Sequence, residues 1–136
     1  MEAVPFSNNS VYEGLGKVNG LIRLEDDVLV LEYQTKDGVF GVLKSRVRET
    51  RLGLKDVASI EFDRGRVTSN LRLRVLSIAL LSDLPCCESG EARLKIARRD
   101  RDAAGGLVSR VQLRLSELRL EAADRKLREM QSDPER

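Results

Sequence analysis

The chain separates its secondary-structure signals by position. Short segments of alternating apolar and polar residues occupy roughly the first hundred positions, and one charged amphipathic stretch, from about Asp100 to Met130, closes the sequence. A strand with one apolar face needs a cover, and the terminal helix is the only candidate cover in the sequence. The order therefore predicts a mainly β domain, a small barrel or sandwich plugged by one long C-terminal α-helix.

At 136 residues the chain is long enough to bury one core without disulfides or metal. The 24 Lys and Arg against 22 Asp and Glu leave a formal charge of +2, too small a surplus to imply nucleic acid. Aromatic residues make up 4% and Trp is absent, which removes the stacking platforms of single-strand binders. Histidine is also absent, so the usual neutral-pH acid/base group is missing and no enzyme activity is expected. Two adjacent thiols, Cys86 and Cys87, make a poor disulfide and a poor zinc site. No metal and no cofactor are expected. Met1 to Phe6 carries no signal-peptide pattern, and the longest apolar run, Val75 to Leu81, is interrupted by Ser77 and too short to span a bilayer. A cytoplasmic protein without a transmembrane segment is the expectation.

Residues 1–16 are polar and without period, and read as an N-terminal arm. Leu21 to Leu24 and Val28 to Tyr33 flank Glu25-Asp26-Asp27, a hairpin signal. Thr35-Lys36-Asp37-Gly38 marks a second turn. Val47 to Leu54 reads as a strand with Val47, Leu52 and Leu54 inward, while Val39 to Ser45 is undecided between strand and loop. Val57 to Asp63, Leu71 to Val75 and Ala92 to Ile96 alternate more clearly, with Ala58, Ile60 and Phe62 inward on the first of them. Ser82 to Gly90, with Pro85, reads as a loop.

The terminal helix has two apolar faces. Ala104, Leu107, Val108, Val111, Leu115, Leu118 and Ala122 form a stripe at helical period, expected to pack on the barrel. Gly105-Gly106 interrupts helix propensity and marks a close approach to a strand. Leu113, Leu120 and Leu127 recur every seventh residue on another side, with Ala123 and Met130, and form a candidate interaction seam. Residues 119–136 then constitute an extension beyond a domain of residues 17–118.

Gly20 to Leu24 leading into Val28 to Glu32, Thr35 to Gly38, Leu54 to Glu61, and Leu94 to Arg98 ahead of the helix together resemble the pleckstrin-homology-like superfamily, most closely its small bacterial members. The resemblance implies a partly open seven-stranded barrel with a helix closing one end, and a binding or scaffolding role. Its phosphoinositide-binding members carry basic residues on the first hairpin. Here that place holds Glu25, Asp26 and Asp27, so phosphoinositide capture is not expected.

Two function classes follow. The first is a non-catalytic protein-interaction or oligomerisation module, recruiting a protein partner or a second copy through Leu113, Leu120, Leu127 and Met130. The alternative is a peripheral anion- or membrane-surface binder using a basic ridge of Lys44, Arg46, Arg48 and Arg51, the first three of which share a face if extended.

Overall fold

The computed structural model describes residues 3–11, 16–37, 47–81 and 87–131. Among these, eight strands precede one helix: β1 (Val4–Val11), β2 (Gly16–Glu25), β3 (Val28–Asp37), β4 (Arg48–Gly53), β5 (Val57–Asp63), β6 (Thr68–Val75), β7 (Cys87–Glu88), β8 (Glu91–Ala97) and α1 (Arg101–Gln131). Seven strands form one open antiparallel ladder in the order β4-β3-β2-β1-β8-β6-β5, and the two-residue β7 pairs with β8.

Connectivity forces this ladder to curl. β4 and β5 lie at opposite ends of it, yet a single 3₁₀ turn, Leu54–Asp56, joins them. Six flat spacings of about 4.8 Å would put the ends about 29 Å apart. Four residues of chain reach at most about 14 Å. The sheet therefore rolls until its end strands meet at a corner. The turn is held there by Leu54 N–H donating to Asp27 O at 2.8 Å and Leu76 N–H donating to Asp56 O at 2.9 Å.

The first hairpin forms where expected, with Asp26 at φ 51, a left-handed conformation that aspartate tolerates. Several other expectations need correction. Residues 1–16 are not merely an arm, because β1 runs between β2 and β8 and buries Val4 and Phe6. Phe6 lies opposite Gly20, where an added Cβ would meet Glu32 O at 2.2 Å and the Phe6 ring at 2.6 Å, so glycine is required by close approach. Val47 is 60% exposed, outside β4, whereas Leu52 and Leu54 are buried as expected. In β5, Val57 pairs with Val75 and Ser59 with Arg74, one extra residue that makes a bulge. The bulge turns both Val57 and Ile60 inward and leaves Ala58 half-buried. Part of Ser82 to Gly90 is ordered as β7 and the turn into β8. Val39 to Leu43 lies outside the described residues, as does Cys86.

Helix α1 begins within a residue of the expected start and buries Ala104, Leu107, Val108, Val111 and Leu115 in the same cluster as Ile22, Ile60, Leu73 and Leu94. Leu118 packs at its margin and Ala122 is exposed. The helix lies chiefly along β5, the last strand of the ladder. Gln112 Nε2 donates to Ile60 O and Arg119 Nη2 to Ala58 O, each at 2.8 Å, so helix side chains take up carbonyls of an end strand. Arg101 Nη1 reaches Gly65 O at 3.1 Å in the same way. A Cβ at Gly105 would lie 2.6 Å from Arg64 Nη2, the movable end of a long side chain, and at an ordinary 3.8 Å from the Phe62 ring, so close approach to the strand does not require glycine there. At Gly106 an added methyl would meet nothing nearer than Arg110 Nη1 at 3.7 Å.

Leu107→Ala should lower the unfolding free energy by about 2–5 kcal/mol, because the side chain is fully buried and its removal leaves a cavity. Gly106→Ala should raise it by up to about 1 kcal/mol through helix propensity alone. Urea denaturation of both variants checks the placement of the helix: an unchanged midpoint for Leu107→Ala would remove it from the core.

Candidate interaction surface

Three surfaces carry the charged and apolar residues singled out by the sequence. At the first, the acidic tip of the β2–β3 hairpin, Arg114 from α1 grips Asp27 with a two-pronged contact, Nε to Oδ1 at 2.7 Å and Nη2 to Oδ2 at 3.0 Å. The hydrogen bonds from Arg114 hold the Asp27 carboxyl below its ordinary value, and the carboxylate in turn raises the guanidinium. Arg114 also reaches Glu117 at 3.5 Å and Glu121 at 3.4 Å. Backbone and side chain of Asp27 thus tie the hairpin tip to the β4–β5 turn and to the helix. Nothing in the linear sequence pairs residues 27 and 114, and only the fold could reveal this contact.

Glu25, Glu32 and Glu49 on the neighbouring strands are also paired with arginines. Arg23 bonds Glu32 and lies 3.5 Å from Glu25, while Arg51 reaches Glu49 at 2.7 Å and Glu25 at 3.3 Å. In register, Val30 sits between Arg23 on β2 and Arg51 on β4 and is fully buried although it alternates out of phase with the inward Leu29 and Leu31. The arginine stems and their carboxylate partners roof an apolar spot.

The basic ridge is only partly visible. Lys44 and Arg46 lie outside the described residues. Arg48 and Arg51 are both exposed on β4, three positions apart, and so belong to opposite faces of the strand. Arg51 is engaged with two glutamates and is raised chiefly by its hydrogen bond to Glu49.

The helix seam is the third surface. Leu113, Leu120, Leu127 and Met130 are 64%, 71%, 53% and 60% exposed, in one row, and every residue from Arg119 to Gln131 is exposed. On a helical wheel of about 100° per residue the seam centres about 140° from the buried stripe. Beyond Ala122 the helix continues for about 14 Å without cover from the sheet. Where it leaves the sheet, Leu54, Val57, Leu76, Leu118 and Ala122 line a shallow groove of about 270 Å³, rimmed by Lys55 and Arg119. The exposed Leu76, which follows β6, was not singled out in the sequence, because strand alternation had ended there.

Among the described residues no three His, Cys, Asp or Glu side chains converge in a metal-like cluster, and no helix is long and apolar enough to cross a membrane. No family model, curated protein or solved structure matches the chain.

The Asp27–Arg114 contact makes stability depend on pH in a defined window. The folded carboxyl titrates below its ordinary value of 3.8, so the unfolded chain binds more protons there, and the contact's contribution is complete above that value and lost as pH falls through the lower folded one. Asp27→Asn should be less stable than the parent at neutral pH, with the gap closing in strong acid and narrowing in high salt. Denaturant titrations across the range measure it; a gap independent of pH would show the contact to be absent in solution.

Proposed function

We propose that the chain is a non-catalytic protein-interaction module of pleckstrin-homology-like build, acting in the cytoplasm, in which a helix-plugged barrel presents the outer half of α1 to a protein partner. The observation that carries this reading is the row of Leu113, Leu120, Leu127 and Met130 left exposed on a helix whose opposite face is fully used. Leucines at a seven-residue spacing over about 21 Å, with Met130 beyond them, have no role in the monomer's core. Patches of this kind on soluble proteins mark contact surfaces. The strand order, the corner between β4 and β5 and the terminal helix support the family resemblance.

The anion- or membrane-binding alternative is less well supported. Arg51 is bound to carboxylates, Arg48 faces away from it, and Glu25, Asp27 and Glu32 of the first hairpin are held by Arg114, Arg23 and Arg51 in contacts that an anionic headgroup would have to displace. Phosphoinositide-specific capture through that hairpin is therefore not expected, nor is nucleic-acid binding.

The experiment compares the native chain with Leu120→Glu/Leu127→Glu as affinity baits at low and high ionic strength. The module reading expects associated protein to be retained in high salt and lost with the double variant, whose thermal unfolding stays unchanged. Association that ignores the seam but disappears with salt, together with sedimentation on anionic vesicles, would favour the basic ridge instead.

A further inference from the structure

The charges bordering the seam specify which partner it fits and in which direction. With Leu113, Leu120 and Leu127 at the first core position of a heptad, Ser116, Ala123 and Met130 fall at the second. The position flanking one side is then filled by Gln112, Arg119 and Lys126, and the position flanking the other by Glu117, Asp124 and Gln131. One flank is neutral or basic and the other neutral or acidic, with no exception over three heptads.

We infer that the seam binds a second copy of this chain as a parallel two-stranded coiled coil, with Arg119 of each copy facing Asp124 of the other. This deepens the interaction reading above and rests on it. In a parallel pair the basic flank of one helix meets the acidic flank of its neighbour five residues on, which sets Arg119 against Asp124, Gln112 against Glu117 and Lys126 against Gln131. Reversing one helix brings Arg119 and Lys126 against the same two residues, and Glu117 and Asp124 against each other. Like charges then meet along both borders, and flanking charges of this kind fix orientation. A parallel two-fold pair sets each border against the opposite border of the other copy, so a seam with one basic and one acidic border is self-complementary in that arrangement.

The seam is about 140° from the barrel-facing stripe, so two helices can lie back to back with a barrel on each outer side. Within the monomer Arg119 Nη2 donates to Ala58 O at 2.8 Å, leaving the remaining guanidinium donors, and Asp124 lies 2.9 Å from Arg128 on its own helix, so the cross-pair contact has to form beside these. Ser116 and Ala123 are small for core positions, so the pair is held by three leucines and Met130 and its dissociation depends on concentration.

The test uses the full chain with Cys86→Ser and Cys87→Ser. Sedimentation velocity should show a monomer giving way to a dimer as concentration rises. Leu127→Cys added to that background should form an intermolecular disulfide on oxidation, because a parallel pair sets residue 127 beside its own copy. In an antiparallel pair the two would be displaced by roughly 16 Å along the axis, beyond disulfide reach. A mixture of Ser116→Cys and Leu127→Cys chains would then cross-link to each other. Arg119→Glu and Asp124→Arg should each weaken dimerisation by about tenfold or more, and mixing the two variants should restore it, since both borders of that heterodimer become attractive. A monomer at every concentration, the 116-to-127 cross-link, or no rescue on mixing would each overturn the inference. If seam-dependent capture of protein survives any of those outcomes, the interaction module stands and only its partner is different; if it is lost as well, both readings fail.

Discussion

Three residues between β4 and β5 set the architecture. Because Leu54–Asp56 must connect the two ends of a seven-strand ladder, the sheet cannot lie open and flat. It curls round its apolar face, and the curl leaves a barrel whose end strands meet at a corner without pairing along their lengths. An apolar interior open on one side has to be covered, and α1 is the element that covers it. The helix contributes Ala104, Leu107, Val108, Val111 and Leu115 to the core, and polar side chains to the carbonyls of the end strand β5. Hydrophobic burial supplies most of the energy. The hydrogen bonds fix how the helix lies.

The Asp27 corner joins these parts. Its backbone carbonyl holds the β4–β5 turn and its carboxylate holds the helix, so the hairpin tip, the turn and α1 are fixed relative to one another. At the hairpin tip the helix arginine engages Asp27, and the proposed binding surface is the free half of the helix. Both faces of α1 are thus accounted for: one by the barrel, one by the seam.

Much of this was legible in the sequence because alternation and helical period report burial directly. Leu71, Leu73 and Val75, or Leu94 and Ile96, announce an inward face, and the stripe from Ala104 to Leu115 announces a docked helix. What stayed hidden had local causes. In β1, Asn8-Asn9-Ser10 masks the Val4 and Phe6 alternation. Among the described residues Ser7 of β1 is in register with Lys95 of β8, while Pro5 pairs with Leu21 of β2. The β5 bulge defeats a strict period of two and brings Val57 inward beside Ile60. Val30 is fully buried between Arg23 and Arg51 in register, a tertiary effect that alternation reads with the wrong sign. The seam was visible as a heptad, whereas the Asp27–Arg114 contact, spanning 87 positions, has no local signature.

The central claim is that one helix serves the barrel with one face and a partner with the other. Native-state hydrogen exchange along α1, followed as a function of protein concentration, tests it most directly. Amides from Ala104 to Leu115 should be protected at every concentration, while those from Arg119 to Gln131 should exchange rapidly in dilute solution and become protected as the protein is concentrated. Equal, concentration-independent protection along the whole helix, or rapid exchange of its outer half at all concentrations, would contradict the account.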